Sequence, residues 1–214
     1  MKKYTNKILI IAISCLTILL INLVIKNKIY FGTKHSVILT ADLNKVKSVE
    51  FNGNRELQLK QGVIESGIKL PPDAYIEDSK LYLVLKGDEQ VIKLTLPELE
   101  EIHISGAAKV TLDNFKQKDI KVKLAGASNF IIINSNFSNV NLSSAGDSQL
   151  IFKDCRLKNL NVNLTGSSNI IINSFANGSL TGMAAGNVNI TYSGNLIDNK
   201  LKIFGNSNIS RINK

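Results

Sequence analysis

Glycines at 106, 126, 146, 166, 186 and 205 are separated by four steps of 20 residues and a last step of 19. A cadence of that length marks a repeated supersecondary unit rather than a chain of unrelated elements. Written around these glycines, the units read IHISGAAKVTL, VKLAGASNFII, LSSAGDSQLIF, VNLTGSSNIII, GMAAGNVNITY and KIFGNSNIS. Each is a small-polar turn between two arms in which apolar residues alternate, and alternation with period two is the mark of a strand. Ile102/Ile104, Val122/Leu124 and Val162/Leu164 supply inward pairs before the turn. Val110/Leu112, Phe130/Ile132, Leu150/Phe152, Ile170/Ile172 and Ile190/Tyr192 supply them after it.

One such unit cannot bury its apolar face alone, whereas stacked copies align those faces into a continuous core. The pattern therefore predicts an all-β, parallel β-helix-like solenoid with coils of roughly 20 residues. A right-handed winding suits this cycle better than the roughly six-residue repeats of left-handed β-helices. Gly126, Gly146 and Gly166 should stack near one edge, where glycine tolerates positive φ and close backbone approach. Leu124, Phe130, Leu150, Val162 and Ile170 should enter one interior. Ile120, Val140 and Leu160, with Phe115, Phe137, Cys155 and Phe175, are expected at the corners. Asn129, Gln149, Asn169, Asn189 and Asn208 each lie three residues after a turn glycine, so their amides could form a ladder along the stack or contact a carbohydrate.

The region before the regular repeat carries weaker copies. Val49, Phe51, Gly53, Leu57 and Leu59 have the same offsets, and LYLVLKGDEQV at 81–91 gives a partial unit around Gly87, 19 residues before Gly106. On that spacing residues 81–214 form nearly seven consecutive coils. Pro71-Pro72 marks a turn or excursion between the two early units, and Pro97 the entrance to the regular section.

The other constraining feature is the leader. Ile8 to Ile25 is 18 uncharged residues, interrupted only by Ser14, Cys15, Thr17 and Asn22, close to the roughly 20 that a helix needs to cross a bilayer. Lys2, Lys3 and Lys7 precede it and Lys26, Lys28 and Lys34 follow it, so the basic residues favour neither orientation. A short inner end and a folded domain after the span favour an uncleaved signal anchor. Cleavage lacks an Ala-x-Ala site, and lipidation at Cys15 would need a larger aliphatic residue than Ala12 in AISC. The expected organisation is a basic segment 1–7, a transmembrane anchor 8–25, a tether 26–36 and a solenoid domain 37–214, irregular over 37–97 and regular over 98–214.

Charge follows the same division. The net charge is +9, but residues 1–36 hold six lysines and no acid, leaving 20 basic and 17 acidic groups in the remainder. The folded part is nearly balanced, which removes the case for a nucleic-acid module. Lys109, Lys116, Lys118, Lys121 and Lys123 read as a basic solvated face without a base-reading element. Two cysteines in unlike contexts exclude a disulfide scaffold or thiolate cluster, and Cys155 reads as packed. Asp147, Lys153, Asp154 and Arg156 are the most compact mixed-charge group, yet paired carboxylates need convergent geometry to act as acid and base. His35 falls in the tether and His103 at an outward strand position between Ile102 and Ile104. No metal-ligand spacing, cofactor motif or activated nucleophile is present.

SVEFNGNRELQLKQG at 48–62, KLTLPELEEIHISGAAKVTL at 93–112 and the turns LAGASN at 124–129, SAGDSQ at 144–149 and LTGSSN at 164–169 together resemble the bacterial auto-transporter adhesin head GIN domain family, DUF2807. The resemblance covers roughly residues 45–212. It implies a secreted, periplasmic or lipid-anchored solenoid, and the family name suggests adhesion. Gly182-Met183-Ala184-Ala185-Gly186 departs from the usual apolar arm and the final unit is one residue short; both fit a distal cap. The resulting expectation is a membrane-tethered, extracytoplasmic, non-catalytic solenoid, periplasmic or cell-surface, presenting a surface for envelope organisation or protein interaction. Binding of an acidic polymer or carbohydrate is the alternative, and a carbohydrate-active β-helix enzyme a remoter one. The expected partners are an envelope protein, carbohydrate or acidic polymer, with the membrane through the leader, no nucleic acid and no cofactor; no motif prescribes a homo-oligomer.

Overall fold

The structure, a computed structural model, describes residues 40–64, 70–71, 73–84 and 91–212. The anchor expected at 8–25, the tether with His35, and Gly87 lie outside the described residues.

After a short helix α1 (Thr40–Leu43), the chain runs through strands β1 (Ser48–Asn52), β2 (Glu56–Gln61), β3 (Tyr75–Glu77), β4 (Lys80–Val84) and β5 (Val91–Leu96). It continues through β6 (Glu101–Ser105), β7 (Lys109–Asp113), β8 (Lys116–Ala125), β9 (Asn129–Ile133), β10 (Asn136–Lys153), β11 (Arg156–Phe204) and β12 (Ser207–Arg211). From β6 to β11 successive coils pair in parallel at an offset of 20 residues, and β12 pairs with Val188–Tyr192 at an offset of 19. Leu142 faces Val122 and Val162, and Leu150 faces Phe130 and Ile170. Parallel neighbours of equal sequence offset are the definition of a coil, so the predicted β-solenoid with 20-residue coils is the fold.

The interior is the predicted one. Leu124, Phe130, Leu150, Val162 and Ile170 are all buried in a single apolar cluster. The glycines stack: a β-carbon at Gly126, Gly146 or Gly166 would lie within 2.6–2.7 Å of the carbonyl oxygen of the glycine one coil before it. Their φ values of 104°, 118° and 103° fall where L side chains are strained. A second column of left-handed residues marks the opposite corner, with Asn114, Asn134 and Asp154 at φ of 62°, 51° and 53°; Asn and Asp tolerate this region better than other side-chain-bearing residues.

Three expectations change. The coil around residues 80–96 does not stack on β6 and β7. Val49 pairs with Leu81 on one side and Ile102 on the other, and Leu57 with Ile92 and Val110, so β1 and β2 lie between the two. The excursion that passes Pro71 forms an antiparallel hairpin of β3 with β4, its turn made by Asp78 and Ser79 at positive φ. The chain then adds β4 and β5 to the outer edge of the first coil before returning. A 19-residue interval fixes the size of a coil, not its neighbour, and either edge of β1–β2 offers the same apolar columns.

The second change concerns the corners. Phe137 is not in the column of Phe115, Cys155 and Phe175; it pairs with Gln117 and Leu157. Ser135 takes the place beside Phe115, accepting the Phe115 N–H at 3.0 Å and donating to the Ile133 carbonyl at 2.6 Å. Both of its bonds are satisfied locally, which is why a serine sits there fully buried.

Third, the Gly182–Gly186 run is no cap, because Val188–Tyr192 carries β12 on its outer side. The arm is small because space is: a β-carbon at Gly182 would collide with the Val162 carbonyl oxygen, and Ala184 is fully buried.

Candidate binding surface

Because inward positions are committed to the core, chemistry can reside only on outward ones, and their charges are sorted. Most outward lysines near the first coils meet an acid from a neighbouring strand. Lys80 lies 2.6 Å from Glu50, Lys109 3.1 Å from Glu56, and Lys123 and Lys121 lie 2.7 and 3.6 Å from Glu101; Lys47 bridges Glu98 and Glu100. The hydrogen bond from Lys123 holds the Glu101 carboxyl below its ordinary range. The Gln58 amide, aided by Lys109, does the same for Glu56. Such pairs cancel charge locally and each stabilises the fold only slightly.

The basic face predicted over Lys109, Lys116, Lys118, Lys121 and Lys123 therefore splits. Lys109 is paired with Glu56, and Lys121 and Lys123 share the single carboxylate of Glu101. Lys116 and Lys118 have no carboxylate partner among the described residues and line an open groove of about 470 Å³ with Arg156 and Lys158. Between the two cationic coils lies a neutral one that offers Asn136 and Ser138. The ladder explains the layout. Lys116, Asn136 and Arg156 share one column, while Gln117, Phe137 and Leu157 share the next, inward one. The ladder then skips Lys118, Ser138 and Lys158 and resumes at Asp119, Asn139 and Asn159. This break bends each coil, and the groove runs along the bend. Among the described residues no acidic side chain lines it.

The mixed-charge group does not assemble. Asp147 is exposed at the glycine turn and Asp154 is exposed at the left-handed corner. Asp147 and Asp154 are seven positions apart, and the extended run over 147–153 places the two carboxylates roughly 20 Å apart, far beyond the separation that acid–base hydrolysis uses. Lys153 and Arg156 flank the same corner, and of the four only Arg156 enters the groove. His103 faces outward in register with Glu50 and Lys123. Among the described residues no three His, Cys, Asp or Glu side chains gather to hold a metal ion. Cys155 is buried, donates to the carbonyls of Lys153 (3.1 Å) and Ile132 (3.3 Å), and burial pushes its thiol up to about 11, the opposite of an activated nucleophile.

The predicted amide ladder exists over its second half, where Asn189 donates to Asn169 (3.2 Å) and Asn208 to Asn189 (3.4 Å). Toward the first coils it fades, and the Asn129 side-chain oxygen is buried with no partner. Two further ladders went unread. Asn139 donates to Asp119, Asn159 to Asn139 and Ser179 to Asn159 at 2.5, 2.9 and 2.9 Å; Asn161 and Thr181 continue a parallel row from Asn141. The signal was available, since these residues repeat at the same 20-residue interval as the glycines. These bonds run from coil to coil and consume the amides, so the rows work as internal struts. Asp119, beside the groove, is engaged in the same way by Asn139.

Parallel coils, a glycine column and outward columns of changing chemistry define a β-solenoid. The chain belongs to the family described as "Putative auto-transporter adhesin, head GIN domain" (DUF2807), whose model matches residues 22–195. Among solved structures, a protein from Bacteroides fragilis titled an adhesin is 18% identical with a TM-score of 0.56, covering 78% of this chain and 92% of its own. A protein from Parabacteroides distasonis titled as lipid binding is 16% identical with a TM-score of 0.49, covering 78% and 93%. An adhesin-titled protein from Parabacteroides merdae has 16% identity, a TM-score of 0.39, and coverage of 78% and 92%. At these identities the first likeness speaks for the fold alone. No curated protein matches the chain.

Proposed function

We propose that this chain is a non-catalytic, membrane-tethered solenoid whose domain over 37–214 stands outside the cytoplasm and presents its outward strand faces for envelope organisation or protein interaction. One observation carries the reading. At a fixed register the backbone and core repeat while the outward residue changes character, as in Lys116, Asn136 and Arg156 over their buried neighbours. A stack of this kind lets recognition vary without altering the scaffold. The apolar run 8–25 supplies the membrane anchor in this reading, with 1–7 inside and 26–36 as the tether. The family description favours a surface role, although fold likeness alone does not transfer an activity.

The test is topological. In a Cys15→Ser background Cys155 stays shielded in the core, and Lys200→Cys on the exposed last coil gives one reactive thiol. A membrane-impermeant maleimide should label it on spheroplasts, and the protein should resist alkaline extraction until residues 8–25 are deleted. Labelling only after lysis, or full extraction of the intact chain, would refute the proposal. A second reading, binding of an acidic polymer, is favoured by the unneutralised groove.

A further inference from the structure

We infer that the groove along the bend of the coils binds a linear acidic polysaccharide, its carboxylates held by Lys116 and Lys118 on one coil and Arg156 and Lys158 two coils away, and its hydroxyls by Asn136 and Ser138 between them. This deepens the surface-scaffold reading and rests on it for where the ligand is met.

The inference starts from charge sorting. Several lysines of the first coils have an acid from a neighbouring strand beside them, as Glu101 is for Lys121 and Lys123. The four groove cations have no such partner among the described residues, and they line a common concavity without an acid. Four like charges held on a rigid ladder repel one another. They are better accommodated when an anion lies among them, since a cleft lined by one sign of charge focuses its field on a counter-ion.

Spacing and composition then select the ligand. Strands stack at about 4.8 Å and residues two apart on a strand are about 7 Å apart, so the backbone positions of the four cationic residues mark a figure roughly 7 by 10 Å. A chain lying along the solenoid axis passes one cationic pair, a neutral coil and the second pair. The neutral coil supplies an amide and a hydroxyl, each able to donate and accept, which suits the hydroxyl groups of a sugar. Arg156 adds a planar fork that matches a carboxylate. Phe137, the aromatic residue of the groove, is only 4% exposed. It offers no platform on which a nucleobase could stack, and such platforms characterise single-stranded nucleic-acid sites.

The full chain, purified in neutral detergent, should be titrated with oligomers of polygalacturonate, with dextran as the uncharged polymer and single-stranded DNA as the phosphate polymer. Polygalacturonate should bind, dextran should not, and DNA should bind more weakly. Affinity should fall with salt. Lys116→Gln/Lys118→Gln/Arg156→Gln/Lys158→Gln should weaken polygalacturonate binding by about tenfold or more, each exposed pair contributing roughly twofold. Lys121→Gln/Lys123→Gln, which removes charge outside the groove, should change it less than about twofold. The two double variants, Lys116→Gln/Lys118→Gln and Arg156→Gln/Lys158→Gln, should each show part of the loss, so the result does not depend on the fourfold variant folding. Equal losses from groove and Glu101-paired lysines would reduce the effect to net charge and overturn the site. DNA binding as tight as polygalacturonate would overturn the ligand class, as would equal binding of dextran. Because these titrations use purified protein, their failure beside successful surface labelling rejects the groove and leaves the scaffold reading standing.

Discussion

Gly146 lies so close over Gly126 that a β-carbon on it would come 2.6 Å from the Gly126 carbonyl oxygen. That relationship recurs along the column, from Gly106 over Gly53 at 2.5 Å onward, and it sets how near one turn can approach the next. Gly146→Ala should therefore destabilise the protein by about 3–5 kcal/mol, through the strained φ and the separation of two coils. Gly62→Ala is the comparison, since its β-carbon would meet only the Thr95 methyl at 3.1 Å and should cost less than about 1 kcal/mol. Denaturant midpoints of the two variants decide; similar losses would mean that the column does not bear on stability.

Ser144 interrupts an otherwise apolar column. It is buried between Leu124 and Leu164, and its hydroxyl has no hydrogen-bond partner among the described residues. An unsatisfied buried hydroxyl is destabilising, so Ser144→Ala should stabilise by about 1 kcal/mol. Chemical denaturation with an unchanged m-value would show this as a higher midpoint. A lower midpoint would reveal that the hydroxyl is satisfied in solution.

The glycine cadence exposed coil length, the turn edge and most of the interior because each rests on a local rule: positive φ at the turn, period two in the arms. Coil order was not legible. Val49 and Leu57 present the same apolar columns on both sides, and only the antiparallel hairpin of β3 with β4 sends Leu81 and Ile92 to the outer edge. The groove was half legible. Lys116 and Lys118 stood out with their neighbours, but nothing local separates them from Lys121 and Lys123. The difference is a partner, Glu101, brought alongside by the stack, and the same long-range register aligns Arg156 and Lys158 with them.

Cys155 should behave as a core residue. Its Sγ–H donates to two carbonyls, and burial raises the thiol to about 11 from an ordinary 9.0. In a Cys15→Ser background, native protein near neutral pH should react with a thiol reagent only as fast as it opens, and in denaturant at once. Since the folded value is the raised one, the thiol's contribution to stability is complete below pH 9.0 and is lost as pH rises toward 11. Cys155→Ala should remove that alkaline component. Rapid native labelling would place the sulfur at the surface and contradict the packing.

Glu101 offers the corresponding test at acid pH. Lys123 at 2.7 Å and Lys121 at 3.6 Å hold its carboxyl below the ordinary value of 4.5. A carboxylate lowered in the folded state stabilises above the unfolded value, and that contribution fades as pH falls from about 4.5 through the folded value. The pair is partly exposed, so the contribution is less than about 1 kcal/mol and shrinks with added salt. Glu101→Gln should accordingly be less stable than the parent near neutral pH, and the difference should close as pH falls below about 4.5. Paired urea titrations across that range are the measurement. A difference that persists at the acid end would mean that the glutamine side chain fails by packing rather than by the loss of its charge beside Lys121 and Lys123.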